Sequence, residues 1–200
     1  MPGHKAPEAA RREQILGSAY RVAAQHGLDG LTIRQVASAA GLSSGLVLFH
    51  YKTKQQLLLA LLEWLIEGTL RPPAALSALP SDRSALAGFH TLIHREMQRL
   101  SAEPERINLL FGFWVRGRHD PAIGLRMRQA LARYREAFRD SGQALLDAEP
   151  ERFRGVTAEG LATLAVSFVK GCAVQAMIDP QGFDIAQHLR AARCLFNEAD

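Results

Sequence analysis

The sequence predicts an all-α protein in which a small N-terminal three-helix domain precedes a larger C-terminal helical bundle. Three observations carry this reading. Apolar residues recur at intervals of three and four along most of the 200 residues, and no stretch reads convincingly as a strand. Caps (Thr, Ser or Asp) and breakers (Gly or Pro) divide the chain into segments of helical length. Positive charge is also segregated: residues 1–54 hold seven basic side chains against three acidic ones, while the other 146 residues hold 17 of each sign. The whole net charge of +4 therefore lies at one end.

Residues 1–7 read as a frayed tail, with Lys5, Arg11 and Arg12 near enough to a neighbouring polyanion to touch it, or else serving solubility. Over 8–26, Ile15, Ala19, Val22 and Ala23 form a helical stripe that ends at Gly27, and 27–30 turn the chain. Thr32 is an N-cap with Gln35 three residues on, and Ile33, Val36, Ala37 and Ala40 share one face of the helix that follows. Gly41 supplies tolerance of positive φ, Leu42 plugs the angle, and Ser43 caps a second helix over 44–51. Two short helices around so tight a turn make a helix-turn-helix, whose second helix enters the DNA major groove.

Lys54 opens a long apolar helix over 54–70, stopped by Pro72 and Pro73 because proline lacks the helical N–H and its ring clashes with the preceding turn. Its start belongs to the first domain and its second half to the bundle, which gives domains of 1–53 and 54–200. The Pro-, Ala- and Ser-rich stretch 71–81 reads as a linker. Further helices are expected over 82–100, from Pro104 to about 115, from the Asp120-Pro121 start to about 148, over 157–178, and over 184–197.

The second short helix decides the chemistry. Small residues Ser43, Ser44 and Gly45 at its N-terminus permit close approach to a phosphate, where free N–H groups and the helix dipole favour an anion. Ser44 and His50 are candidates for polar contact with bases or phosphates, and Leu46 and Phe49 for contact with thymine methyl groups. Thr32, Arg34, Tyr51, Lys52 and Lys54 are assigned to phosphates, while Val47 and Leu48 are expected to pack beneath the helix.

In these residues the chain resembles the TetR family of one-component transcriptional repressors. Thr32, Arg34, Val36, Ala37, Ala40, Gly41, Leu42, Ser43, Gly45, Val47, His50, Tyr51, Lys54 and Leu57 match its pattern in one unbroken register. Leu46 stands where the family commonly has a small residue and Leu48 where it usually has Tyr, departures that bear on base preference and not on the fold. The resemblance implies that the last two helices build a dimer interface, with Leu161, Leu164, Phe168, Gly171, Cys172 and Gln175 on one face; a buried internal face is the alternative. It also implies an apolar effector cavity among the middle helices, for which Trp64, Phe89, His94, Phe111, Trp114, Arg118 and Phe138 are candidates, although each aromatic is otherwise an ordinary core residue. Arg118, clustered with Arg116 and His119, reads either as part of a solvated face paired with Glu and Asp or as a cationic mouth suited to an amphipathic anion such as an acyl-CoA or a fatty or aromatic carboxylate.

Pairing follows from the geometry of DNA, because two such units reach half-sites one helical turn apart, ~34–36 Å, or a multiple of it. The expected partners are thus a palindromic operator, a second copy of the chain and a small-molecule effector, with no membrane. No nucleophile-and-base constellation, P-loop or HExxH appears, so no catalytic residues, cofactor or enzymatic activity are expected. His90 and His94 lie four apart but lack a third ligand, and no metal is expected. Cys172 and Cys194 read as buried free thiols, and the lack of a continuous apolar run or signal peptide points to a cytoplasmic protein.

Overall fold

The computed structural model describes residues 7–69 and 85–196, with side chains throughout except at 100, 101 and 192–196. Residues 1–6 of the expected tail, the linker over 71–81 and the proline stop therefore lie outside the described residues, as does the side chain of Cys194. Among the described residues there are nine helices and no strand.

Helix α1 (Glu8–Gly30) buries Ile15, Leu16, Ala19, Val22 and Ala23, and its path breaks at Gly27, whose φ of 72° and ψ of 169° are not helical. The expected end of the helix is thus a break followed by one more turn. Helix α2 (Ile33–Ala40) begins at Thr32, whose hydroxyl accepts from the Gln35 N–H at 3.2 Å. It ends at Gly41 in the left-handed region, φ 65°, with the Leu42 N–H reaching back to the Ala37 carbonyl at 2.9 Å. A side chain with a Cβ would be strained there, so glycine is what lets α3 (Ser44–Tyr51) leave at its angle. Helix α4 (Lys54–Thr69) is capped by Thr53 and buries Leu57, Leu58, Leu61, Leu62, Leu65 and Ile66.

The remaining helices are α5 (Ala85–Ser101), α6 (Pro104–Arg116), α7 (Pro121–Ala148), α8 (Ala158–Ile178) and α9 (Ile185–Phe196). Asp120, Thr157 and Asp184 cap the last three, each accepting backbone N–H bonds at 2.8–3.2 Å.

The chain forms two compact units, and the division does not follow a single cut. The first contains the described part of 1–70 together with 105–129; the second contains that of 71–104 together with 130–200. Helix α4, expected to run from one domain into the other, lies wholly in the first unit, and α7 is the long helix with residues in both.

In the first unit, Ile15, Val36, Val47, Leu57, Leu61, Leu62 and Phe113 are fully excluded from solvent. The α6–α7 corner needs glycine twice over, since a Cβ on Gly124 would stand 2.6 Å from the carbonyl oxygen of Gly117.

In the second unit, Phe89, Leu92, Tyr134, Phe138, Leu161, Ala165 and Val169 form the core. Helix α8 averages a mean hydropathy of 1.7 over 18 residues, enough by length and composition to cross a bilayer, although Lys170 and several hydroxyl and amide residues interrupt it. Core helices reach the same value, and α8 turns Leu161, Ala162, Ala165, Val166, Val169 and Cys172 inward.

A polar cluster interrupts this second core. Glu96 is 1% exposed, and its carboxylate accepts from the Tyr134 hydroxyl at 2.6 Å and from Arg99 Nε and Nη2 at 3.1 and 2.6 Å. Lys170 brings its ammonium 5.2 Å from the Tyr134 ring. Burial lowers the Lys170 pKa to about 8, with Glu96 opposing and Arg99 adding to the shift. Above pH 8 the folded chain has shed a proton that the unfolded chain keeps until about 10.5, so this lysine makes stability rise with pH in that range. Burial raises the Cys172 thiol from 9.0 to about 11, which works in the opposite direction above pH 9. The expected outcome is a gain of about 1 kcal/mol between pH 8 and 9, read by urea unfolding and absent in Lys170→Met. A pH-independent midpoint in the parent chain would refute it.

Candidate nucleic-acid interface

Helix α3 has one face held and one face open. Val47 and Tyr51, one turn apart, are buried at 0% and 2% exposure. On the other side Gly45, Leu48 and Phe49 face solvent, and Phe49 is 67% exposed. Leu46, Ser44 and His50 are intermediate. Ser43 accepts the Leu46 N–H at 3.2 Å, which fixes the N-terminal turn of the helix.

Two expectations for this helix are corrected. Leu48 does not pack beneath it but is 39% exposed, because the i, i+4 pair that turns inward is Val47 and Tyr51. Tyr51 is not available to a phosphate: its hydroxyl donates to the Arg12 carbonyl at 3.3 Å and the Arg12 guanidinium lies 4.8 Å over its ring. Burial raises its pKa, Arg12 lowers it and Glu13 raises it further.

The remaining expected residues are exposed or half-buried. Thr32, Arg34, Ser43 and Lys52 are exposed, and the Lys52 ammonium sits 5.2 Å from the Phe49 ring. Lys54 is half-buried, with Nζ donating to the Asp29 carbonyl at 3.2 Å. Helix α1 braces the pair, since Gln14 donates to the Ala40 carbonyl at 2.8 Å and Arg21 to that of Ala39 at 3.3 Å. Sequence reading missed these braces, because a polar side chain bonding to a backbone 26 residues away leaves no local pattern.

The expected effector residues do not converge. In the second unit, an apolar cavity of about 140 Å³ lies between α5, α7, α8, α9 and the loop before α8. Phe89 lines it, together with Ile93, Phe153, Leu164 and Phe168; His90 and Arg152 are its titratable lining residues. His94 is not among the lining residues, and Phe138 is fully buried against Tyr134. Arg152 is paired with Glu149 at 3.0 Å.

Trp64, Phe111, Trp114 and Arg118 belong to the first unit. Trp64 donates to Glu13 at 2.8 Å, with Tyr20 at 5.6 Å and Arg106 at 4.5 Å from its ring, so it joins α1, α4 and α6. Phe111 and Trp114 pair at 5.6 Å, Trp114 being 39% exposed, and Arg118 is exposed. The hollow in this unit, lined by Leu28, Asp29, Asn108, Arg116 and Asp120 among others, includes none of these four.

The expected dimer face also divides. Leu161 and Cys172 point inward, whereas Leu164, Gly171 and Gln175 are exposed and Phe168 is half-buried, stacked on His188 at 4.8 Å. The outward stripe of α8 continues to Ile178, 73% exposed.

Comparison with known proteins places this geometry. Residues 15–61 match the family model of bacterial regulatory proteins of the tetR family, and residues 85–198 match the C-terminal model of BetI-type transcriptional repressors. The chain belongs to the TetR family. Its family is one of helix-turn-helix transcription regulators.

Among curated TetR relatives, the chain is 30% identical over 104 residues to the transcriptional repressor KstR2 of Mycolicibacterium smegmatis, covering 48% of this chain and 50% of that one. It is 24% identical over 156 residues to the transcriptional regulator BetI of Serratia proteamaculans, covering 77% and 76%. The chain spans half, or just over a quarter, of the length of several curated relatives that it matches. A regulator from Saccharomonospora viridis, crystallised in complex with choline, shares the fold at a TM-score of 0.75 and 20% identity, covering 93% of this chain and 96% of that one.

Proposed function

We propose that this TetR-family protein is a homodimeric repressor that binds a palindromic operator and is released when a small apolar or amphipathic ligand occupies the second-unit cavity. The observation that carries the reading is α3: a capped eight-residue helix with an open face, at the end of the chain that holds all the excess positive charge. Ser43, Ser44, Gly45, Leu46, Phe49 and His50 approach the groove, and Thr32, Arg34, Lys52 and Lys54 take phosphates. Residues 1–53 act as the DNA-binding part and 54–200 as the ligand-binding and dimerising part.

Pairing through α8 is supported by its outward stripe, in which Leu164, Phe168, Gly171, Gln175 and Ile178 recur at helical spacing and the large apolar side chains of Leu164 and Ile178 are exposed. A small cavity lined by three Phe side chains suits a ring or a short acyl chain, since apolar cavities of roughly 150 Å³ hold benzene. Arg152 in its lining is already paired with Glu149 at 3.0 Å, so what the cavity chiefly offers a ligand is apolar and aromatic surface. Such a ligand acts only by binding the two conformations unequally. Helix α7, whose start lies in the unit of α3, is the connection through which occupancy shifts the recognition helices.

Selection of genomic fragments by the purified chain, followed by titration of the recovered fragment at two salt concentrations, tests this reading. A palindrome bound with steep salt dependence is expected, and genes beside it nominate ligands to assay for release. Enrichment of nothing over bulk DNA would refute operator binding and leave a helical interaction protein as the better account.

A further inference from the structure

The open face of α3 has an unusual chemistry for a helix that reads DNA. Hydrogen-bond reading of base edges draws on Arg or Lys for guanine, Asn or Gln for adenine, and Asp or Glu for cytosine. None of these residue types occurs from Ser43 to Tyr51. Tyr51 is turned inward, and the Ser43 hydroxyl caps the helix. Only Ser44 and His50 remain as polar readers, both half-buried.

What the helix offers instead is apolar surface, with Leu48 39% and Phe49 67% exposed. Phe49 meets the edge of His50 at 5.3 Å and the Lys52 ammonium at 5.2 Å, so an apolar surface is bordered by a charge suited to the phosphate backbone. Of the groups that the four bases display in the major groove, the C5-methyl of thymine is the apolar one.

Resting on the operator reading above, we infer that Leu48 and Phe49 make operator recognition a reading of pyrimidine C5-methyl groups. At the positions these side chains cover, the protein distinguishes thymine from uracil and 5-methylcytosine from cytosine. Withdrawing one methyl from contact with an apolar side chain lowers affinity about fourfold, the effect of one buried methylene-sized group. The affinity of this regulator for DNA therefore depends on cytosine methylation wherever a methylated cytosine occupies one of those positions.

The test uses the full-length chain and the recovered operator, with each thymine replaced in turn by deoxyuridine. At one or two positions in each half-site, affinity is expected to fall about fourfold. A 5-methylcytosine–guanine pair placed there binds more tightly than cytosine–guanine by a similar factor. Phe49→Ala and Leu48→Ala, both at exposed positions and checked for unchanged helix content, each abolish the discrimination at one position. Equal binding of all deoxyuridine operators, or discrimination that survives both substitutions, would overturn methyl reading while operator binding stands. Failure to enrich any fragment would overturn both.

Discussion

Replacing Glu96 with alanine is expected to destabilise the second unit by about 3 kcal/mol, at the lower end of the cost of breaking a buried ion pair. The carboxylate is 1% exposed and accepts from Tyr134 and twice from Arg99. Its removal leaves a buried phenol without its acceptor and a guanidinium without its counter-charge. The cost stays at the lower end because the Arg99 side chain is 31% exposed and recovers part of its hydration. Domains of this size have about 5–15 kcal/mol in total, so the urea midpoint should fall sharply. Replacing the set together, Glu96→Leu with Arg99→Met and Tyr134→Phe, should cost much less, since the phenol and the guanidinium that donate to Glu96 are removed with it. If the single variant lost under about 1 kcal/mol, or the triple variant lost as much as the single, the cluster would not be a specific polar anchor of this core.

The largest functional effect is expected from Lys52→Ala combined with Lys54→Ala. Removing both ammonium groups from the phosphate backbone should weaken binding to operator and bulk DNA alike, by about a hundredfold at low salt. The slope of log affinity on log salt should flatten by roughly 1.8, about 0.9 for each phosphate no longer neutralised. Lys52 is exposed, and Lys54 makes one bond to the Asp29 carbonyl, so thermal stability should change little. Unchanged affinity with altered sequence preference would mean that these lysines read bases. An unchanged salt slope would mean that they do not reach the backbone.

Much of this protein was legible along the chain because the signals were local. The caps at Thr32, Ser43, Thr53, Asp120 and Thr157 and the left-handed Gly41 act within four residues, so the expected helix starts agree with those observed. The helix-turn-helix was legible in the same way, since the turn chemistry from Gly41 to Ser43 specifies it wherever it sits. The face of a short apolar helix was less so. In Leu46, Val47, Leu48, Phe49 every residue is apolar, and periodicity cannot say which of them turns inward.

Least legible was what the expected effector aromatics pack against. Aromatics at helical spacing identify faces to be buried but not what buries them. Trp64 packs with Tyr20 and Arg106, and Phe138 packs with Tyr134, while Phe89, expected among the effector residues, lines the cavity with Phe153 and Phe168, which were not.

By itself the sequence determined the helices, their caps, the recognition motif and the segregation of charge, all consequences of interactions that span a few residues. Only the tertiary structure decided that Leu48 faces outward and Tyr51 inward, that Glu96 is buried among Tyr134 and Arg99, and where a cavity lies. Those outcomes depend on which surfaces exclude water from one another, and that is settled by contacts between residues far apart in the chain.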